Sequence, residues 1–432
     1  MSFKRVLVTG LGVVSPVGCN VSTFWNSLLQ GKCSFNKQEA SSYQFSQSKF
    51  AGLVDNSQLP PNDKKLSRCA SFALHAADQA LEDASFKPGP DTSRVGVLLG
   101  VGLVSLSDVY EQWKLFSEKG YSKVSPWFVP KILPNQSAGV IAMKHKIHGM
   151  VHCVSTACAT GAHSIGDAFR LIKTGELDAI IVGASDSSMD PLTVAGFGKM
   201  RALSTAEDPL RASTPFDKDR CGFVLAEGAA VCLLESEEHA VNRKVKNIYA
   251  EVLGYGYSSD AYHIASPHPD GLGAIQSMNR CLNSAAIKPS DVDYICAHAT
   301  STPAGDVAEA KAIANIFSDK IPYISSIKGS VGMFVEYFFH IATPVLIFIG
   351  HLLGGAGSLE SVATLLAIYH KTLPGTTGLT NIDKDVPDNV KEKLLLHGKT
   401  KEINSQKKIV ALKNSFGFFG ANASLCFSEY RP

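Results

Sequence analysis

The chain has 432 residues, of which 45% are hydrophobic and 19% charged, values typical of a soluble globular protein with a large core. Lys and Arg number 41 against 39 Asp and Glu, and no dense basic run occurs, so we expect no nucleic-acid partner. The ten cysteines are scattered without a CxxC pair, so neither a zinc site nor a thioredoxin-like site is indicated, and we expect no metal. The length favours two or three domains.

In the first half, apolar runs that predict strands alternate with helical periodicity. The strands are predicted at 6–16, 94–100, 151–156, 179–184 and 229–234, and the helices at 22–29 (capped by Ser22), 66–84, 134–146 and after Cys158. Gly10 and Gly12 lack the third glycine of a dinucleotide motif, so we interpret them as turn residues. Residues 235–246 are charged and helical, and we interpret them as a connector.

The second half repeats this alternation. Strands are predicted at 248–254, 292–297, 408–415 and 423–427, and helices at 274–286, 306–316 (capped by Asp306) and 358–369. Continuous apolar strands between helices are typical of sheets covered on both faces. The sequence therefore predicts an α/β fold made of two duplicated halves, residues 1–245 and 246–432.

The stretch VHCVSTACATGAHSIGDAF at 151–169 places Cys158 between an apolar run and a helical pattern. A thiol at a helix N-terminus feels unpaired N–H groups and the positive end of the helix dipole, which favour the nucleophilic thiolate. Ala157, Ala159 and Gly161 leave room for a substrate carbon. The alternative is a small buried hydrophobic residue, the usual state of a free cysteine, and this stretch alone does not decide between the two.

Further candidate residues follow predicted strands or lie in glycine-rich loops. His298 begins HATSTPAGD after a strand, where open α/β sheets bind ligands, although a lone histidine is more often structural. KGSVG begins at Lys328, HLLGGAG at His351 with Glu360 in the next helix, and NSFGFFGAN spans 414–422. Glycines in these loops allow close backbone approach, but without a nucleophile to serve each loop is only a turn.

Taken in order, these motifs resemble the β-ketoacyl-[acyl-carrier-protein] synthases, elongating condensing enzymes of the thiolase superfamily. The matching stretches cover nearly the whole chain: VTGLGVVSPVG, STACATGAHSIGDA, GFGKMRALS, TPFDKDRCGFVLAEGAA, SSDAYHIASP, HATSTPAGDVAEAKA, HLLGGAGSLES and NSFGFFGANAS. The resemblance implies a thiolase-like five-layer αβαβα fold. It also implies a homodimer, with Phe128 reaching the partner's acyl pocket.

The resemblance assigns roles residue by residue. Cys158 is similar to the acyl-accepting nucleophile, His298 and His351 to the two active-site histidines, and Lys328 to the family's lysine. Two groups complete the assignment: Thr300, Thr302 and Phe418 as substrate-binding residues, the last gating the acyl pocket, and Asp306 and Glu360 as structural support.

The activity implied is decarboxylative condensation of malonyl-acyl-carrier protein with an acyl chain on Cys158, elongating a fatty acid by two carbons. The substrates arrive on the phosphopantetheine of acyl-carrier protein, so no cofactor is expected. A thiolase acting on coenzyme A thioesters is an alternative, but it requires a second catalytic cysteine, and Cys426 lies in a strand pattern. A catalytically impaired scaffold subunit is the other alternative.

The segment 333–350 departs from the family pattern by separating the Lys328 loop from His351. It is apolar and aromatic but interrupted by Glu336, His340 and Pro344, so we expect no membrane span. Its ends can be encoded with splice-like codons, and we interpret it as an insertion that is either a retained short intron or a gene-model artefact. If translated, it could displace His351 from the site and leave a protein that binds thioesters but condenses poorly. We take His351 as catalytic, and not His340, because HLLGGAG follows it.

Two smaller departures lie in the loop at 414–422. Phe419 and Ala421 stand where the family pattern has Gly and Thr, and Phe419 is expected to restrict the loop. No signal peptide or transit peptide is recognisable, which indicates a reducing compartment. The intron-like segment favours a eukaryotic protein, so we expect a mitochondrial location, with the cytoplasm as the alternative.

Overall fold

The structure is a computed structural model that describes residues 3–432 except 32–35, 38–47, 62, 330, 339–340 and 405, and only the backbone of 36–37 and 331–348. The strands are β1 (Val6–Val14), β2 (Asn36–Lys37), β3 (Phe50–Gly52), β4 (Val95–Val101), β5 (Val151–His152), β6 (Ala179–Asp186), β7 (Leu225–Ala226), β8 (Gly228–Ser236), β9 (Ala250–Ser259), β10 (Tyr294–Cys296), β11 (Tyr323–Ser325), β12 (Val331–Phe338), β13 (Ile341–Phe348), β14 (Thr372–Leu373), β15 (Lys401–Glu402), β16 (Val410–Phe416) and β17 (Ala421–Ser428). The helices are α1 (Val21–Gln30), α2 (Arg68–Asp83), α3 (Leu106–Lys119), α4 (Phe128–Ile132), α5 (Gln136–His145), α6 (Thr160–Lys173), α7 (Pro191–Lys199), α8 (Glu237–Asn242), α9 (Leu272–Ala285), α10 (Pro303–Ile316), α11 (Ala356–Tyr369) and α12 (Asp388–Lys391).

The main sheet repeats one strand order in the two halves of the chain. Its order is β11-β10-β16-β17-β9-β1-β8-β6-β4-β5. Counted outward from the β9–β1 junction, each half shows its own first, fifth, fourth, second and third strand in chain order. In both halves the two inner pairings are antiparallel and the two outer pairings parallel. The predicted duplication is therefore visible in strand order and strand direction.

Helices cover both faces of each half and also lie between the halves. Helices α6 and α11 pack against each other and contact strands of both halves, so they form the middle layer. Helices α2 and α5 cover the outer face of the first half, and α9 and α10 cover that of the second. Three buried apolar clusters correspond to this layering, a central one and one under each outer helical layer. The predicted five-layer αβαβα fold is confirmed.

Several predicted element boundaries are wrong, each for a local reason. Asn20, and not Ser22, caps α1, because its side chain accepts a hydrogen bond from the Thr23 N–H. The predicted cap Asp306 instead lies buried in the first turn of α10, because Pro303 already occupies the first helical position. The strand at 151–156 ends at His152, since the residues before Cys158 form a tight turn.

Most of the segment 333–350 lies in a β-hairpin, β12–β13, that contacts α1 and β3 and whose two ends are neighbours. Strands β12 and β13 pair antiparallel from Val331–Phe348 to Phe338–Ile341. Paired residues in such a ladder have Cα atoms about 4.5–5.5 Å apart, so the ends of the hairpin are adjacent. His340 lies outside the described residues. Among the helices of the described part of the chain, none has the length and apolar character needed to cross a membrane.

Candidate active site

Cys158 lies in a strained turn that leads into α6. The preceding residue, Ala157, has φ +49°, a left-handed conformation that costs a residue with a Cβ about 1–2 kcal/mol. Thr160 braces the turn, because its hydroxyl accepts from the Thr156 N–H at 2.8 Å and donates to the Ala157 carbonyl at 2.7 Å. The turn presents the sulfur two residues before the helix begins, as predicted.

His351 contacts the sulfur directly, with its Nε2 2.9 Å from Cys158 Sγ. Its backbone is fixed to the first half of the chain, because its N–H donates to the Val224 carbonyl at 2.7 Å and its carbonyl accepts from Ala226 at 3.1 Å. The Phe223 ring packs edge-on against the imidazole at 5.2 Å between centroids. The expected displacement of His351 by the inserted segment is wrong, since these backbone bonds hold the residue whatever precedes it.

His298 follows β10 and lies beside His351, with 5.5 Å between the ring centroids. The Glu309 carboxylate fixes this turn by accepting from the N–H groups of His298 and Ala299, at 3.0 and 2.8 Å. Lys328 Nζ lies 3.4 Å from His298 Nδ1. Because an ammonium only donates hydrogen bonds, Nδ1 must carry the lone pair and Nε2 the proton. His298 therefore presents an N–H donor on the side away from Lys328.

Behind the histidines lies a buried cluster of one carboxylate and two ammonium groups. Glu360, the fifth residue of α11, forms an ion pair with Lys328 through Oε1. Its other oxygen, Oε2, lies 2.7 Å from Nζ of Lys413 on β16. All three side chains are at most 2% exposed. Such pairing is what permits charges to stay in an apolar interior.

Burial sets the protonation states of the site. It lowers the pKa of His298 and His351 well below the ordinary value of 6.5, and the Lys328 charge adds to this, so both imidazoles are neutral. Burial also raises the pKa of the Cys158 thiol to about 12, although Lys328 opposes the rise. The predicted resting thiolate is therefore wrong: desolvation outweighs the helix terminus, and Cys158 and His351 form a neutral thiol–imidazole pair.

Cys158, His298 and His351 line one cleft of about 350 Å³ that also contains Thr300, Thr302 and Phe418. The two threonine hydroxyls lie 3.0 Å apart. The loop carrying Phe418 rests on the nucleophile turn: a Cβ added to Gly417 would be 3.2 Å from Cys158 N and 2.9 Å from the Thr156 carbonyl oxygen. Only a residue without a side chain allows this approach, which places the Phe418 loop beside the sulfur.

Comparison with known proteins identifies the family. The profile of the β-ketoacyl synthase N-terminal domain matches residues 3–240, and that of the C-terminal domain matches residues 249–334. The chain belongs to the β-ketoacyl synthase family. The C-terminal match ends at residue 334, within the segment 333–350.

Full-length relatives of this β-ketoacyl synthase occur in plants and bacteria. The mitochondrial 3-oxoacyl-[acyl-carrier-protein] synthase of Arabidopsis thaliana is 41% identical, over 99% of this chain and 94% of the relative. The 3-oxoacyl-[acyl-carrier-protein] synthase 2 of Rhizobium meliloti is 39% identical over 99% of both chains.

Solved ketosynthase structures resemble this fold throughout. A ketosynthase solved in complex with its type II PKS acyl-carrier protein and bound to a hexaketide has a TM-score of 0.86 and 30% identity, covering 99% of this chain and all of that one. A β-ketoacyl synthase from Burkholderia phymatum has a TM-score of 0.86 at 28% identity, with the same coverage.

Besides Lys328 and Glu360, two predicted residues of this β-ketoacyl synthase, Asp306 and Phe128, lie outside the cleft. Asp306 is buried behind it, where its carboxylate accepts from the Phe216 N–H at 2.8 Å and lies 3.4 Å from Arg220. Burial raises the pKa of Asp306 to about 7. Phe128 is the first residue of α4 and does not line the cleft of its own chain, so its contact with a partner stays a prediction.

The sequence reasoning missed three residues that hold the histidines in place: Glu309, Lys413 and Phe223. Glu309 was detectable, since it follows Asp306 by one helical turn and so shares its inward face. Lys413 interrupts the apolar run IVAL, and a lysine in a buried strand requires a partner. For Phe223 no signal existed, because an aromatic residue before an apolar strand is ordinary.

Proposed function

We propose that the chain condenses malonyl-acyl-carrier protein with an acyl chain held on Cys158, releasing carbon dioxide and lengthening a fatty acid by two carbons. One observation carries this proposal: a cysteine sulfur 2.9 Å from one neutral imidazole, with a second neutral imidazole 5.5 Å from the first, in one cleft. A nucleophile with two uncharged N–H donors suits acyl transfer followed by enolate stabilisation.

The first half-reaction transfers the acyl group to Cys158. As the Cys158 sulfur attacks the thioester carbonyl, the thiol releases its proton, and the Nε2–H of His351, 2.9 Å from Sγ, donates to the sulfur. The bond from the carbonyl carbon to the pantetheine sulfur breaks, and the departing thiolate takes up the proton that the thiol released. We assign the oxyanion site to the backbone N–H groups of Cys158 and Phe418, whose loops are in contact through Gly417.

The second half-reaction forms the new carbon–carbon bond. The malonyl carboxylate leaves as carbon dioxide, and its bonding electrons become an enolate whose oxygen accepts N–H bonds from His298 and His351. The enolate carbon attacks the acyl carbonyl on Cys158, the carbon–sulfur bond breaks, and the departing Cys158 thiolate takes one proton from solvent. The products are a β-ketoacyl thioester, carbon dioxide and free Cys158.

Lys328 acts on the reaction through His298. Its ammonium contacts the Nδ1 atom of that imidazole and so keeps the proton on Nε2, where the enolate oxygen can use it. Glu360 holds Lys328 in position. The Thr300 and Thr302 hydroxyls line the same cleft and are suited to the amides of a phosphopantetheine arm.

The alternative activities fit the site less well. A thiolase needs a second cysteine at the reacting centre, whereas Cys426 is fully buried in β17 and does not line the cleft. A scaffold subunit needs no intact nucleophile–histidine set. The retention of Cys158, His298, Lys328 and His351 in contact with one another favours the enzyme.

Acyl-carrier protein as partner, a homodimer and a mitochondrial location belong to the same proposal. The solved ketosynthase with its acyl-carrier protein supports the first, and the Arabidopsis relative supports the last. For the dimer, β5 is an edge strand of the main sheet with exposed side chains, and unpaired edges invite pairing with a second copy. Light scattering should show a dimer that Val151→Lys converts to monomer; an unchanged mass would contradict this contact.

The test of the activity is a condensation assay with purified protein, an acyl-carrier-protein thioester and carboxyl-labelled malonyl-acyl-carrier protein. We expect labelled carbon dioxide, a β-ketoacyl product and an acyl adduct on Cys158 by mass spectrometry. Cys158→Ala should abolish the adduct and the product, whereas Cys153→Ala, the matched control, should retain both. Turnover by Cys158→Ala would refute the assignment.

A deletion variant separates the enzyme from the scaffold alternative. Removing residues 333–350 joins Gly332 to His351 and lets Val331 and Gly332 take the place of Ile349 and Gly350. Because the ends of the hairpin are adjacent, we expect the shortened protein and the full chain to condense at rates within about threefold. Activity of neither protein would favour the scaffold.

A further inference from the structure

Lys413 is a fully buried lysine in a strand that passes directly behind the active site. It lies on β16, where it pairs with Cys296 of β10 on one side and Leu425 of β17 on the other. His298 follows Cys296 by two residues, and Phe418 follows Lys413 by five. The loops that follow β10 and β16 therefore both carry residues of the cleft.

Its ammonium group is fully engaged with polar atoms. Nζ lies 2.7 Å from Glu360 Oε2, donates to the Ser415 hydroxyl at 3.0 Å and contacts the Asn414 carbonyl. Lys328 holds the other carboxylate oxygen of Glu360. One buried anion therefore serves two buried cations, and this cluster carries one positive charge in excess.

A buried charge is costly unless nearby groups of opposite charge or hydrogen-bond acceptors stabilise it. The Lys413 ammonium faces ionisable groups on the elements that pack around it. These are Glu360 on α11, Lys328 in its loop, Cys296 on β10, Glu309 on α10, and the two histidines His298 and His351. A positive charge at this place disfavours imidazolium and favours negative charge that develops in front of the imidazoles.

Resting on the proposed condensation, we propose that Lys413 is a positioning residue that fixes Glu360 and supplies the excess positive charge behind His298 and His351. Two effects follow. Rotation of the carboxylate away from Lys328 is disfavoured, because its second oxygen forms an ion pair with Lys413. The enolate formed by decarboxylation meets two donors backed by a net positive cluster, which stabilises it more than the neutral malonyl thioester carbonyl.

The test compares Lys413→Met and Lys413→Arg with wild type, and uses Lys311→Met as a matched control, an exposed lysine on α10. Without the charge, the Lys413→Met histidines should protonate more readily. We expect the acid limb of kcat for decarboxylation to move up by about one pH unit and kcat at pH 7 to fall about tenfold with little change in KM. Lys413→Arg should restore most of kcat, and Lys311→Met should match wild type.

Histidine titration by NMR of wild type and Lys413→Met gives a readout that does not depend on turnover. Higher titration midpoints of His298 and His351 in Lys413→Met support the proposal for Lys413. Failure of the wild-type protein to condense would refute the proposed function and would leave this titration result as it stands. A folded Lys413→Met with unchanged midpoints and an unchanged acid limb overturns the inference. If Lys413→Met does not fold, Lys413→Gln is measured the same way and judged by the same two outcomes.

Discussion

Replacing Glu360 by Gln should destabilise the protein strongly, because it removes the only anion in the described structure that pairs with Lys328 and Lys413. Both lysine side chains are at most 1% exposed, so water cannot replace the lost partner. Breaking a buried ion pair by removing one partner costs about 3–5 kcal/mol. An unfolding entropy of about 2.1 cal mol⁻¹ K⁻¹ per residue gives about 0.9 kcal mol⁻¹ K⁻¹ for 432 residues, so Tm should fall by about 3–6 °C.

Differential scanning calorimetry at fixed protein concentration measures this, with Glu402→Gln on the exposed strand β15 as the matched control. The control should move Tm by less than about 0.5 °C, as surface changes usually do. The double variant Glu360→Gln, Lys413→Met removes one of the two stranded cations and should recover part of the loss. Equal Tm values for Glu360→Gln and the control would refute the account of this cluster.

Three further predictions concern the loops and the histidines. Gly417→Ala should lower kcat at least about tenfold while Tm stays near wild type, because the new methyl group pushes the Phe418 loop away from the backbone N of Cys158. Wild-type turnover by this variant would contradict the contact between Gly417 and the Cys158 turn. Phe419 has φ +61° and is 72% exposed, so Phe419→Gly should keep or raise the free energy of unfolding, whereas Phe419→Val should lower it by about 1–2 kcal/mol. Urea unfolding measures both variants, and the reverse order would be inconsistent with backbone strain at Phe419. Because burial lowers the pKa of His298 and His351 well below 6.5, both stay neutral as pH falls through 6.5, and kcat should hold from pH 8 to about pH 6; a loss centred on 6.5 would show ordinary histidines.

The sequence patterns predicted the fold and most of the cleft because both depend on local signals. Apolar strands alternating with helices were enough to indicate two similar halves, and the strand order bears this out. Cys158, His298, Lys328 and His351 each follow or lie within a recognisable glycine-rich or strand-end motif, and the structure brings all four together.

What the sequence could not predict depends on tertiary contacts. The effect of the inserted segment on His351 was misjudged, because the hydrogen bonds to Val224 and Ala226 come from residues more than a hundred positions earlier. The protonation state of Cys158 was also misjudged: the helix terminus is visible in sequence, but the depth of burial that opposes it is not. The role of Lys413 was missed for the same reason, since its partner Glu360 lies on α11, in a different layer of the fold.

The reacting atoms arise from opposite halves of the repeat: the sulfur from the first, and both imidazoles from the second. The separation of the sulfur from His298 therefore depends on how α6 and α11 pack between the halves, whereas His351 is tied to the first half by its backbone hydrogen bonds to Val224 and Ala226. A rigid-body slide of one half by even an ångström would change the distance from the thiol to His298 while leaving the strands and helices of each half intact. The turnover rate is therefore more sensitive to the relative position of the two halves than a spectroscopic measurement of secondary-structure content.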